Sequence, residues 1–178
     1  TRETFASYPD QAIVTNVKSS GKELDFTAQL HTWLEGSQYF EKISDNEIKI
    51  VASPKDLKNE TEPGWESKIK GEARMYITGD GASLSVSEDN STITVRGGNE
   101  ATIYIVGATN YVDYLTLDDN KPAADCEKYM SKIKGRTYEE IKADHEKDYK
   151  ELFDRSSLTL ENNNGVDESG TPTEQRIR

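Results

Sequence analysis

The chain has 178 residues, 33 acidic against 22 basic, with a formal net charge of -11 and a pI near 4.7; at about 150 residues per domain that is one domain with an appendage. Phosphate backbones require clustered lysine and arginine, so this charge works against a nucleic-acid partner, and no run approaches the ~18 apolar residues of a membrane span. Hydrophobic residues make up only 33%, below the roughly 45–50% of an average domain, so polar loops surround a core fed by compact runs such as Ala12-Ile13-Val14 and Ile103-Tyr104-Ile105-Val106.

Gln11–Val17 alternates, with Ala12, Val14 and Asn16 on one face and Ile13, Thr15 and Val17 on the other. The turn Ser19-Ser20-Gly21-Lys22 leads into Leu24–Leu30, whose Leu24, Phe26, Ala28 and Leu30 share a side. Glu47–Val51 pairs Ile48 with Ile50, and the polar, proline-bracketed segment Ser53–Pro63 reads as a loop. Trp65–Ile77 predicts one long strand with Trp65, Ile69, Ala73, Met75 and Ile77 on one parity, Trp65 facing the core. Gly79-Asp80-Gly81 and Glu88-Asp89-Asn90 are turns flanking Leu84 and Val86, and Gly97-Gly98 ends the strand of Ile93 and Val95. Thr102–Thr109 is apolar on both faces, as in a strand buried between two layers. Strands spaced about 8–12 residues apart, with no helix between them, argue for an antiparallel sandwich or barrel and against a parallel α/β sheet.

After Thr116 the hydrophobic period changes from two to about 3.6. Pro122 sits in the first turn of a helix over 122–134, with Ala123, Cys126, Met130 and Ile133 on one face and Gly135 as its C′ residue. The single cysteine, Cys126, has no partner for an internal disulfide and reads as a small buried apolar side chain. Asp118-Asp119-Asn120 lacks the remaining oxygen ligands of a calcium loop and is expected to cap this helix. Thr137-Tyr138-Glu139-Glu140 is a capping box opening a second helix over 137–153, whose Tyr138, Ile141, His145, Tyr149, Leu152 and Phe153 form the buried stripe. Mid-stripe, His145 is expected to be buried and hydrogen-bonded to a backbone carbonyl or an acid. Ser157–Leu160 reads as a short strand and Glu161–Thr171 as a mobile loop. The fold class is therefore mainly β: an antiparallel β-sandwich followed by two α-helices.

No local motif fixes an active site. Glycoside hydrolysis needs two carboxylates about 5–5.5 Å or 6.5–9.5 Å apart across a cleft, a separation that abundant acids do not reveal. His31 and His145 lie far apart without metal-binding spacing, and Gly79-Asp80-Gly81 and Arg96-Gly97-Gly98 separate strands rather than opening a phosphate-binding helix. Asn59-Glu60-Thr61 and Asn90-Ser91-Thr92 match the glycosylation acceptor pattern. Catalytic, cofactor and metal residues are none. For sugar contact the clustered aromatic candidates are Tyr39, Phe40, Tyr111 and Tyr114. No basic-then-apolar signal segment opens the chain, so its start does not reveal the compartment.

Longer motifs carry a resemblance. Arg2-Glu3-Thr4-Phe5-Ala6-Ser7-Tyr8-Pro9-Asp10-Gln11, Gly64-Trp65-Glu66 and Gly107-Ala108-Thr109-Asn110-Tyr111 are followed in order by Tyr138-x-x-Ile141-x-x-x-His145-x-x-Asp148-Tyr149-x-x-Leu152-Phe153-x-Arg155. With Ser157-Leu158-Thr159-Leu160 and Pro172-Thr173-Glu174-Gln175-Arg176-Ile177, these blocks resemble the N-terminal domain of glycoside hydrolase family 95, the α-L-fucosidases, across essentially the whole chain. Where Ile141 stands the family usually has leucine. The resemblance implies inverting hydrolysis of terminal α-L-fucosides by an (α/α)6 barrel following the sandwich, in a secreted or periplasmic protein. The partners it implies are that catalytic domain and a fucosylated glycan. It divides the chain into part of the sandwich (1–116), a two-helix linker with a short strand (117–160) and a flexible junction (161–178). No position here matches a catalytic residue of the family, so none is carried over; the alternative is a carbohydrate-binding or interaction module.

Overall fold

Six antiparallel strands form one sheet in the order β1-β2-β11-β8-β5-β4, and three more form a second in the order β3-β10-β9. In chain order the strands are β1 Arg2–Ser7, β2 Ala12–Lys18, β3 Asp25–Gln29, β4 Gly36–Ser44, β5 Glu47–Pro54, β6 Leu57–Asn59, β7 Glu62–Trp65, β8 Gly71–Asp80, β9 Ser83–Val86, β10 Thr92–Arg96, β11 Glu100–Thr109, β12 Tyr111–Asp113 and β13 Thr116–Leu117. The helices are α1 Lys121–Ile133, α2 Tyr138–Phe153 and the short α3 Thr173–Arg176. β6 pairs with β7 and β12 with β13. The computed structural model describes residues 1–34, 36–55, 57–59, 62–65, 67–158 and 170–176.

Period-two alternation gives the six-stranded sheet two apolar faces, each with its own core. One face turns Met75, Ile77, Ile48 and Ala101 toward Ile93 and Val95 of the three-stranded sheet. The other turns Val14, Tyr104 and Val106 toward Cys126, Met130 and Ile133 of α1 and Tyr138 and Ile141 of α2. β8 and β11, paired over ten residues from Glu100↔Asp80 to Thr109↔Gly71, are central to both. The mainly β, antiparallel architecture with two helices after it is the one the change of period predicts.

The local devices act as expected at several points. Gly98 has a φ of 67°, and a Cβ there would fall 2.3 Å from the Asp80 carbonyl oxygen, so the turn facing Gly81 requires glycine. Pro122 occupies the first turn of α1, Gly135 follows its C-cap with a φ of 85°, and Thr137 and Glu140 form the reciprocal capping box of α2.

Other expectations are corrected. The strand predicted from Trp65 to Ile77 is interrupted, because the Asn110 side chain takes the Lys68 carbonyl and the Lys70 amide before β8 begins at Gly71. Part of the expected loop Ser53–Pro63 pairs as β6 with β7. Asn120 is the N-cap of α1 but makes no side-chain cap bond; Asp118 accepts from the Asn120 amide and Asp119 faces Lys70 instead. The buried stripe of α2 stops early. Tyr138 and Ile141 are buried, but Tyr149, Leu152 and Phe153 are 51%, 62% and 61% exposed, because the second half of the helix runs past what it packs on. His145 is half-buried, stacked on Phe5 at 4.6 Å with no hydrogen bond to a described residue; a partly wet imidazole can keep its bonds to water. Of the expected strand Ser157–Leu160, the first two residues are not in a strand and Thr159 and Leu160 lie outside the described residues, as does most of the expected loop Glu161–Thr171. The Trp65 side chain is also outside them.

Candidate functional site

The four sugar-contact candidates divide between β4 and the β12–β13 hairpin. Tyr39 and Phe40 are neighbours on β4, so their side chains leave opposite faces: Tyr39 is 54% exposed while Phe40 packs onto the inter-sheet core. Tyr111, 51% exposed, lies on β12, and Tyr114, 87% exposed, lies between β12 and β13. A further aromatic that the sequence reading passed over, Trp33, is 92% exposed and meets His31 edge-on at 4.7 Å.

The recognisable motifs are the polar joints of the fold. In the Arg2–Gln11 block, Pro9 and a Gln11 with φ of 55° turn β1 into β2, burying Asp10 to 2% exposure. Ser7 Oγ donates to Asp10 at 2.6 Å, and Arg136 Nη1, from the link between α1 and α2, donates to its other oxygen at 2.6 Å. Burial works against the Arg136 charge, but Asp10 and Asp144 outweigh it and hold the guanidinium above its usual range. In the Gly107–Tyr111 block, Asn110 is fully buried: Nδ2 donates to the Lys68 carbonyl at 2.8 Å and to Asp119 at 2.9 Å, and Oδ1 accepts from the Lys70 amide at 2.9 Å.

The buried acids are also committed to structure. Glu47 and Glu72 are 1% and 6% exposed, beneath α1. Arg74 Nε donates to Glu72 at 2.7 Å and its Nη1 to Glu127 of α1 at 2.5 Å, while Lys134 reaches Glu47 at 2.6 Å. A buried charge is tolerated only when paired, and here pairing clamps the helix to the sheet. The sequence signal was present: Glu72 and Arg74 occupy the second face of a strand that is buried on both. Cys126 lies on the inward side of the same helix, and burial pushes its thiol up to about 11, an inert sulfhydryl rather than a nucleophile. Among the described residues no group of three His, Cys, Asp or Glu gathers to hold a metal.

Two open grooves lie on the six-stranded sheet. One, of about 630 Å³, runs between the segment His31–Leu34 and the strand ends at Ala52, Gly71 and Thr109. The other, of about 440 Å³, runs beside Ala6, Ile13 and Ile105, and the two share Ala73 and Gly107. Both are lined mainly by small apolar residues; neither brings two free carboxylates face to face.

The fold is a two-core β-sandwich whose buried acids serve structure. The model of the glycosyl hydrolase family 65 N-terminal domain matches residues 1–114, and the chain belongs to that family. It is also 26% identical, over 198 aligned residues, to Alpha-L-fucosidase 2 of Arabidopsis thaliana. That alignment takes in 99% of this chain but 23% of the relative, so the chain spans about a quarter of its length. The resemblance to the α-L-fucosidases read from the motifs thus meets a relative of that name.

Proposed function

We propose that this chain is a non-catalytic β-sandwich portion of a larger, secreted or periplasmic α-L-fucosidase. In this reading it scaffolds an (α/α)6 barrel of the same polypeptide, which releases terminal α-L-fucose from fucosylated glycans with inversion. The observation that carries it is the match of nearly the whole chain to a fucosidase some four times as long. The engagement of Asp10, Glu47 and Glu72 in buried ion pairs supports it, since these acids are not available to flank a glycosidic bond. The test uses the longer polypeptide and an α1,2-fucosyl oligosaccharide, following the released sugar by proton NMR. β-L-fucose should appear first and mutarotate, as inversion requires, and the 178-residue chain alone should release none. First release of the α-anomer overturns the stereochemistry; turnover by the short chain overturns the scaffold role.

The exposure of Tyr114 and Trp33 favours one alternative, a sugar-binding module. Binding of fucosylated glycans by the isolated chain, lost in Tyr111→Ala and Tyr114→Ala variants, would establish it.

A further inference from the structure

The β9–β10 hairpin turns on an asparagine whose side chain the fold does not use. Asn90 has a φ of 59°, the left-handed conformation that asparagine tolerates better than most residues with a Cβ, and its amide donates to the Ser87 carbonyl at 3.0 Å. Around it, Ser87, Asp89, Ser91 and Thr92 are bonded to one another. Ser87 Oγ donates to Asp89 at 2.6 Å, Ser91 Oγ donates to the same carboxylate at 2.9 Å, and the Thr92 amide donates to Ser87 Oγ at 3.1 Å. The Asn90 carboxamide, by contrast, bonds to no described residue, and its nitrogen and oxygen both reach solvent.

Asn90 opens the acceptor triplet Asn90-Ser91-Thr92, with a hydroxyl two residues on and no proline between. In the folded chain the triplet is clamped beyond its first residue. Ser91 is 3% exposed and its carbonyl accepts from the Leu30 amide at 3.0 Å, while Thr92 opens β10 opposite Gln29 of β3. A transferase that draws the Thr92 hydroxyl into its own site must therefore peel the end of β10 from β3. The Asn90 nitrogen, standing in water and bonded to nothing, can carry a bulky surface group without loss to the fold. The same turn is thus a poor acceptor once folded and a good carrier afterwards.

We propose that Asn90 is an N-glycosylation acceptor, modified before β10 pairs with β3. The donor is a lipid-linked oligosaccharide diphosphate. Asn90 Nδ2 attacks its anomeric carbon, and the new N–C bond replaces the C–O bond to the diphosphate. The diphosphate leaves with that electron pair, and the amide proton passes to a base of the transferase. The inference rests on the reading of the protein as secreted.

For the experiment, the longer polypeptide is given a cleavable leader and translated in vitro with endoplasmic-reticulum microsomes. Peptide N-glycosidase in heavy-oxygen water then converts each glycosylated asparagine to a labelled aspartate, which mass spectrometry assigns to Asn90 or Asn59. Label should appear at position 90, vanish in Asn90→Gln and Thr92→Ala, and persist in Thr92→Ser, which keeps the hydroxyl. A translocated polypeptide, its leader cleaved, that is bare at Asn90 overturns the proposal. Microsomal transferase and donor are next offered the polypeptide already folded, beside a free peptide of residues 86–96. The folded chain should be modified at least about 100-fold more slowly, the protection expected where access needs sub-global opening. Equal rates overturn the proposal too, since the strand pairing would then not govern transfer. The supplied leader makes the result independent of the native address. A native polypeptide kept inside the cell overturns the secreted reading alone, and a translocated one bare at Asn90 overturns this inference alone.

Discussion

Arg136 Nη1 donates to Asp10 Oδ1 at 2.6 Å, tying the first turn of the chain to the link between the two helices across 126 residues of sequence. With Arg136→Ala, the nearly inaccessible Asp10 carboxylate keeps Ser7 but loses its counter-charge, and the chain should lose about 1.5–3 kcal/mol in urea melts. Arg136→Lys should restore only part of this, since one ammonium does not reproduce the fork that reaches Asp10 and Asp144 together. An unchanged midpoint in the alanine variant would mean that the helices are held by their apolar contacts alone.

Asn110 joins three segments through one carboxamide. Asn110→Ala leaves the Lys68 carbonyl and the Lys70 amide without their side-chain partner, and about 3 kcal/mol should be lost. Asn110→Asp should be no better, because a carboxylate accepts but does not donate to Lys68. Hydrogen exchange localises the effect: the Lys70 amide should lose protection before amides in the middle of β8.

Acid should unfold the chain progressively. Arg74 holds the Glu127 carboxyl below its usual value, Lys70 and then Asn110 do so for Asp119, and the Thr137 backbone amide does so for Glu140. Folded values below the unfolded ones of 4.5 for glutamate and 3.8 for aspartate mean that this stability is complete above those values and lost as the pH falls through the folded ones. Circular dichroism from pH 7 to pH 2 should show the midpoint move toward neutrality in Lys70→Met. A midpoint indifferent to Lys70 would assign acid unfolding to general charge repulsion.

The Cys126 thiol carries the opposite sign. Burial, before any charge effect, raises it from 9.0 to about 11, so its contribution is complete below the unfolded value and lost as the pH rises through the folded one. At pH 8 a maleimide should modify Cys126 only as fast as the chain opens. Rapid modification without denaturant would place the sulfur at the surface.

Truncations along α2 should divide sharply. Ile141→Ala empties a fully buried site and should cost about 2–5 kcal/mol, whereas Leu152→Ala and Tyr149→Ala should stay within about 0.5 kcal/mol. His145→Ala, which removes one ring from the Phe5 stack, should fall between them. Urea midpoints for the four variants settle the order.

This division marks where the sequence was readable. β10 alternates because only one of its faces is buried, β11 reads as a strand apolar on both faces because a core lies on each side of it, and the two helices show their phase through Cys126, Met130 and Ile133 and through the Thr137/Glu140 box. β4 has solvent on most of its residues, so its Gly36–Ser44 pattern gives no alternation to read. β1 was hidden behind Arg2, Glu3 and Thr4, exposed on a strand at the sheet edge. The stripe of α2 is periodic to Phe153, but periodicity reports what a helix can bury and not what is there to cover it. Among the site candidates, sequence adjacency suggested that Tyr39 and Phe40 act together; the strand's period of two separates them. The ion pairs under α1 depend on contacts between Arg74 and Glu127 or Glu47 and Lys134, more than fifty residues apart in each case, which no local pattern reports.

The burial of Cys126, Met130 and Ile133 against Val14, Tyr104 and Val106 makes the helices inseparable from the sheet in any expressible piece. A cut after residue 114, where the family match ends, would bare one entire side of β2 and β11, leaving Arg74 without the Glu127 carboxylate of α1 and Glu47 without the ammonium of Lys134. Such a product should precipitate or associate through that side. The smallest soluble piece therefore ends beyond Ile141, and a fusion or crystallisation boundary belongs in the overhanging half of α2, where the chain has already stopped contributing to either core.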